Sequence, residues 1–70
     1  MTQSDIALRV AEILNTVAYD DHVVEILSWD DVALSTLIKS YDHRLDGYDL
    51  RNFCSMWRDG TLGNFIHDTR

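Results

Sequence analysis

Ser28-Trp29-Asp30-Asp31-Val32-Ala33-Leu34-Ser35-Thr36-Leu37-Ile38-Lys39-Ser40-Tyr41-Asp42-His43-Arg44-Leu45 places apolar residues at 34, 37, 38, 41 and 45. Those positions are i, i+3, i+4, i+7 and i+11, the spacing of one helix face. The stretch also carries a start signal. Asp30 can accept the free N–H groups of a first turn, and Trp29 and Leu34 occupy the two positions of a hydrophobic staple. This is read as the central helix of a small all-α domain.

Upstream, Thr2-Gln3-Ser4-Asp5 fits a capping box, and Ile6, Val10, Ile13, Leu14 and Val17 then recur at helical spacing, so a first helix is expected from about Gln3 to Val17. Tyr19-Asp20-Asp21 interrupts that pattern. Tyr19 with Val24 can staple a second, short helix with core residues Val23, Val24, Ile26 and Leu27, ending near Ser28. Downstream, Leu45-Asp46-Gly47-Tyr48-Asp49-Leu50 repeats the start signal, with Asp46 as cap and Leu45 and Leu50 as staple. A fourth helix from about Gly47 to Arg58 would bury Leu50, Phe53, Cys54 and Trp57, and Asp59-Gly60 supplies its stop. One extra C-terminal turn over Thr61 to Ile66 would lay Phe65 and Ile66 on the core, with His67 to Arg70 frayed. There is no proline, repeat or low-complexity tract to mark a boundary, so residues 1–70 read as a single helical domain, a compact bundle of four short helices.

A chain of 70 residues buries only about 60% of its unfolded surface, so its stability margin is thin and a partner or a second copy, as in a homodimer, could supply the rest. No apolar run approaches the roughly 18 residues of a membrane span. Met1-Thr2-Gln3-Ser4-Asp5 lacks the basic start and apolar block of a signal peptide, and the single Cys54 cannot form an internal disulfide. A reducing, cytoplasmic setting is expected.

Charge bounds the function more than any motif does. Twelve acidic residues against 6 basic give a formal net charge of −6, with one lysine, Lys39. That balance argues against a sequence-independent grip on phosphates and for a protein partner with a basic surface. Asp5, Asp20, Asp21, Asp30, Asp31, Asp46 and Asp49 lie where helices should begin, where carboxylates cap free N–H groups and complement the helix dipole. Folding alone therefore accounts for many of the aspartates. Asp20, Asp21, Glu25, Asp30, Asp31 and Asp42 cluster around two helix starts and the end of the central helix, and are the expected charged contacts. Trp29 is the candidate aromatic anchor.

Chemistry is not expected. His22, His43, His67 and Cys54 are the soft ligands, and no pair has the short spacing that sets two ligands on one face, so neither a metal nor another cofactor is expected. Cys54 lies on an apolar helix face, where a thiol is usually inert. Seventy residues also leave little room for a pocket of the roughly 300 Å³ that small substrates need. A helix-turn-helix reading takes the central and fourth helices as the motif, with Arg51, Asn52, Ser55 and Arg58 as the outward recognition face. The acidity of the whole chain opposes it, and Arg51 and Arg58 can instead pair with Asp49 and Asp59.

Asp42-His43-Arg44-Leu45 resembles a string in the Hha/YmoA family of small enterobacterial gene-expression modulators. The likeness extends to Ser4-Asp5-Ile6-Ala7-Leu8-Arg9-Val10, to Leu34, Leu37 and Ile38 in step upstream, and to Phe65-Ile66 near the end. The family's closing proline and tryptophan have no counterpart, and its members are far less acidic. The resemblance implies binding to the dimerisation domain of the nucleoid repressor H-NS, with Asp42 at the family's partner-binding aspartate; the basic residues that would serve DNA contact are missing here, which puts such a contribution in doubt. The leading expectation is a non-enzymatic acidic regulator or inhibitor of a basic macromolecule: a nucleic-acid-processing enzyme, a toxin, or a transcription or nucleoid protein, of phage or plasmid type.

Overall fold

A computed structural model of the chain describes residues 2–20, 26 and 28–68, with Asp20 by its backbone alone. Within them the chain is all-α. Helix α1 spans Gln3–Asp20, α2 Asp31–Tyr41, α3 Arg51–Asp59 and α4 Leu62–Asp68, and a 3-10 turn at His43–Leu45 follows α2. The second helix expected near Tyr19 to Ser28 lies largely outside the described residues; of its expected core, Ile26 is described and is buried.

Each start follows from its local chemistry. The Asp5 amide donates to Thr2 Oγ1 and the Thr2 amide to Asp5 Oδ2, at 3.2 and 3.3 Å, which closes the expected capping box. The Ala33 amide donates to Asp30 Oδ1 at 2.8 Å, so Asp30 caps α2. Of the expected staple pair, Leu34 is in the core and Trp29 stays exposed. Helix α1 runs past Val17 to Asp20, because Ala18 still packs against the core. Tyr19 and Asp20 therefore end a helix; they do not interrupt one, and Tyr19 is solvent-exposed.

Helix α2 stops earlier than its apolar spacing suggests. Asp42 leaves the helical region at φ −137°, ψ 100°, and its carboxylate accepts the Arg44 amide at 3.1 Å. A short carboxylate that bonds nearby backbone competes with the next helical turn. Leu45 then reaches the core through the 3-10 turn, and Tyr41, expected in the core, is exposed. The next start also shifts. Gly47 at φ +97° turns the chain, and α3 begins at Arg51, where Asp49 in place of Asp46 accepts the Arg51 amide at 3.2 Å. Gly60 at φ +82° closes α3, its N–H donating to the Trp57 carbonyl. The final turn is a helix, α4, that carries His67 and Asp68 in helical conformation.

Helix α1 packs most closely on α4, and α2 on α3. Among the described residues the core is one cluster: Ile6, Ala7, Val10, Ile13 and Leu14 from α1, Ile26, Leu34 and Ile38 from α2 and the stretch before it, then Leu45, Leu50, Phe53, Cys54, Leu62 and Ile66. Polar contacts tie distant elements together. Trp57 Nε1 donates to Asn15 Oδ1 at 2.7 Å, fixing α3 to α1, and Arg9 reaches Asp42. The radius of gyration, 11.1 Å, matches the roughly 11 Å expected for a folded chain of this length. Among the described residues no helix is long and apolar enough to cross a membrane.

Candidate functional site

The surface charges sort into those the fold uses and those it does not. Asp42 belongs to the first group. Its side chain is buried, and its two oxygens accept Arg9 Nε at 3.0 Å, Arg44 Nε at 3.0 Å and Arg44 Nη2 at 2.8 Å. These charge-assisted bonds, the Arg44 side chain first, hold the carboxyl far below the usual carboxylate range and raise both guanidinium groups. The sequence reading put Asp42 at an exposed helix end as a charged contact. The extended backbone at Asp42 instead points the carboxylate inward, between α1 and the 3-10 turn.

The remaining described arginines are equally committed. Arg51 Nε contacts Asp49 Oδ1 at 3.1 Å, which lowers the pKa of the carboxyl and raises that of the guanidinium. Arg58 Nη1 contacts Asp31 Oδ1 at 2.8 Å, and its other terminal nitrogen donates to the Trp29 carbonyl. Arg58 thus bridges α3 to the start of α2; the expected partner Asp59 is not used. Lys39 makes no ion pair among the described residues, though its charge lies near enough to help hold Asp49 ionised. Of the helix-turn-helix face, Arg51 and Arg58 are therefore held by the chain's own carboxylates and Asn52 is exposed.

The expected acidic contacts divide in the same way. Asp30 is a cap, Asp31 is paired, and Asp20 ends α1, not a following helix start. Asp21 and Glu25 lie outside the described residues. Trp29 is 39% exposed and so is open to a partner, but its backbone already serves Arg58. Three exposed carboxylates that the sequence reading did not select complete the set: Asp46, Asp59 and Asp68, none with a hydrogen bond or ion pair among the described residues. Asp59 and Asp68 are the last residues of α3 and α4. The helix dipole disfavours negative charge there, so folding does not account for them. The Asp59-Gly60 stop marks the end of α3 in the sequence, whereas the end of α4 at Asp68 has no such signal, since His67 to Arg70 were expected to fray.

Two clefts flank the turn at Tyr48-Asp49. One, of about 400 Å³, has an apolar floor of Ile6, Phe53, Met56 and Phe65 under Gln3 and Asn52. The Phe53 and Phe65 rings are 5.6 Å apart and tilted by 56°. The other, of about 500 Å³, is more open and lies between α2 and the turn, beside Lys39, Asp46 and Arg51. Both exceed the volume that the length of the chain had suggested. Tyr48 and Asp49, from the loop that precedes α3, line both. Sequence reading assigned Phe53 and Phe65 to the core and missed that Met56 and Phe65 are only partly covered.

Burial pushes the Cys54 thiol up to about 12, so no reactive thiolate forms near neutral pH. Among the described residues no group of three or more His, Cys, Asp or Glu side chains converges to hold a metal. Compared with family models, curated proteins and solved structures, the chain matches none.

Proposed function

We propose that this chain is a small acidic binding protein that regulates or inhibits a macromolecular partner with a basic surface. One observation carries the reading: each of the four described arginines is bound to a carboxylate of the chain, and the acidic surplus that remains includes Asp59 and Asp68 at helix ends where folding gains nothing from them. Twelve carboxylates against 6 cations leave a field that speeds approach of a basic protein and repels DNA. The same observation counts against the helix-turn-helix alternative, whose Arg51 and Arg58 would have to leave Asp49 and Asp31 before reading bases. The buried thiol and the saturated Asp42 give no support to catalysis.

The test is affinity capture from host lysate, washed at about 0.1 M and then about 1 M salt, between which the screening length falls from about 10 to about 3 Å. Expected is a basic protein, identified by mass spectrometry, that elutes at the higher salt and rebinds the purified chain with the same salt dependence. A partner whose binding is indifferent to salt, or a mobility shift of duplex DNA at low salt, contradicts the proposal.

The Hha-like modulator is a second reading, favoured by the helical fold and by Asp42-His43-Arg44 directly after α2. Here Asp42 is occupied by Arg9 and Arg44, so its role in such binding would be to set the shape of the helix end. Titration with a purified H-NS dimerisation domain checks it: no saturable binding removes this reading and leaves the acidic regulator standing.

A further inference from the structure

The smaller cleft combines an apolar floor with a rim of one sign. Ile6 and Phe53 form its buried base, and Met56 and Phe65 are partly covered side chains beside them, Met56 with the flexible thioether that adapts to a guest. Asn52 offers a carboxamide at the edge, and Asp49 is the one charged residue of the lining among the described residues. Asp49 lines both clefts and its two oxygens accept Arg51 Nε and Nη2 at 3.1 and 3.3 Å, while Arg51 itself lines the other cleft. The Asp49 side chain remains 61% exposed, so its carboxylate can take a further donor from outside. At about 400 Å³ the space is at the small end of binding pockets and suits one large side chain better than an extended ligand.

We propose that this cleft is the docking site for a single aromatic or leucine-like side chain presented by a lysine- and arginine-rich segment of a protein partner. Charge complementarity selects the occupant: among the described residues the lining holds the exposed Asp49 carboxylate and no cation, in a chain of net charge −6. The inference rests on the acidic-partner reading above and adds to it the anchor that converts electrostatic approach into a defined pose. Charged contacts at the rim set approach and choice of partner, and a buried aromatic in a pocket sets residence time.

The experiment is a nitrogen-15 NMR titration of the intact chain with three short synthetic peptides: lysine-rich with a central tryptophan, the same with alanine for tryptophan, and the same tryptophan peptide with serine for lysine. Expected are saturating shifts at the Asn52, Phe53, Met56 and Phe65 amides with the first peptide. Binding should weaken about tenfold or more in the alanine peptide, the value of one buried aromatic side chain. The serine peptide should bind more weakly than the first, and Asn52→Arg, at an exposed position, should weaken the first peptide without unfolding the chain. Equal binding of the tryptophan and alanine peptides, with shifts around Asp46, Asp59 and Asp68, overturns the cleft and leaves the acidic reading intact. Equal binding of the lysine and serine peptides overturns the choice of a basic occupant. Absence of binding by either lysine peptide at low salt overturns both the docking site and the reading it rests on.

Discussion

Asp42 is a residue whose composition says charge and whose position says structure. It is held by Arg9 from α1 and Arg44 from the 3-10 turn, so it joins two stretches 33 positions apart. Its pKa is depressed in the folded chain, so its stabilisation is present above the unfolded-state value, about 4, and is lost as pH falls through the lower folded value. Circular dichroism should therefore show wild-type stability declining on acidification below about pH 4. Asp42→Asn should be less stable at neutral pH, with Arg9 and Arg44 left without their anion, and flatter across the acid range. Equal acid profiles for the two chains would contradict this role. Cys54 gives a second prediction at this scale. Buried, with its thiol near 12, it should resist an exposed-thiol reagent at neutral pH in the native state and react at once in denaturant.

At the scale of elements, the starts of α1 and α2 and the end of α3 were legible, and the end of α2 and the start of α3 were less so. Thr2 and Asp30 cap as their types predict, because a cap depends on a few adjacent residues. Asp30→Ala should cost about 1 kcal/mol in denaturant unfolding. The end of α2 depends on the Asp42 carboxylate, which accepts the Arg44 amide two residues on and Arg9 from far upstream, so the apolar spacing alone does not reveal it. Tyr41 was misread for that reason: its spacing fits the apolar face, but the helix stops beneath it. The shift of α3 from Gly47 to Arg51 has a similar origin, since either Asp46 or Asp49 could serve as the capping carboxylate by sequence. Gly60 was legible, and Gly60→Ala, forced to keep φ near +82°, should cost roughly 1 kcal/mol or more. The candidate site was the least legible part. Asn52 was singled out beside Arg51 and Arg58 and not as a cleft residue, and the partial cover of Met56 and Phe65 gave no signal, because a partly covered side chain and a buried one have the same sequence pattern.

For the whole molecule, a stability of roughly 0.05–0.15 kcal/mol per residue leaves little to lose over this length. Leu34, fully buried where α2 meets the core, should cost about 2–5 kcal/mol as Leu34→Ala, enough to bring the chain close to its unfolding threshold at moderate temperature. Thermal melts of the two proteins check that figure. The acidic surplus acts at this scale too, since it is a property of the summed field and no single contact creates it. The measurement that bears most directly on the acidic-partner claim replaces Asp46, Asp59 and Asp68 together by asparagine, in a chain whose fold does not use their charges. The salt-eluted partner of the wild-type chain is then titrated into both at about 0.1 M salt. The account predicts a folded variant, identical by circular dichroism, with markedly slower association and weaker binding. Unchanged affinity and association rate in the folded variant would contradict it.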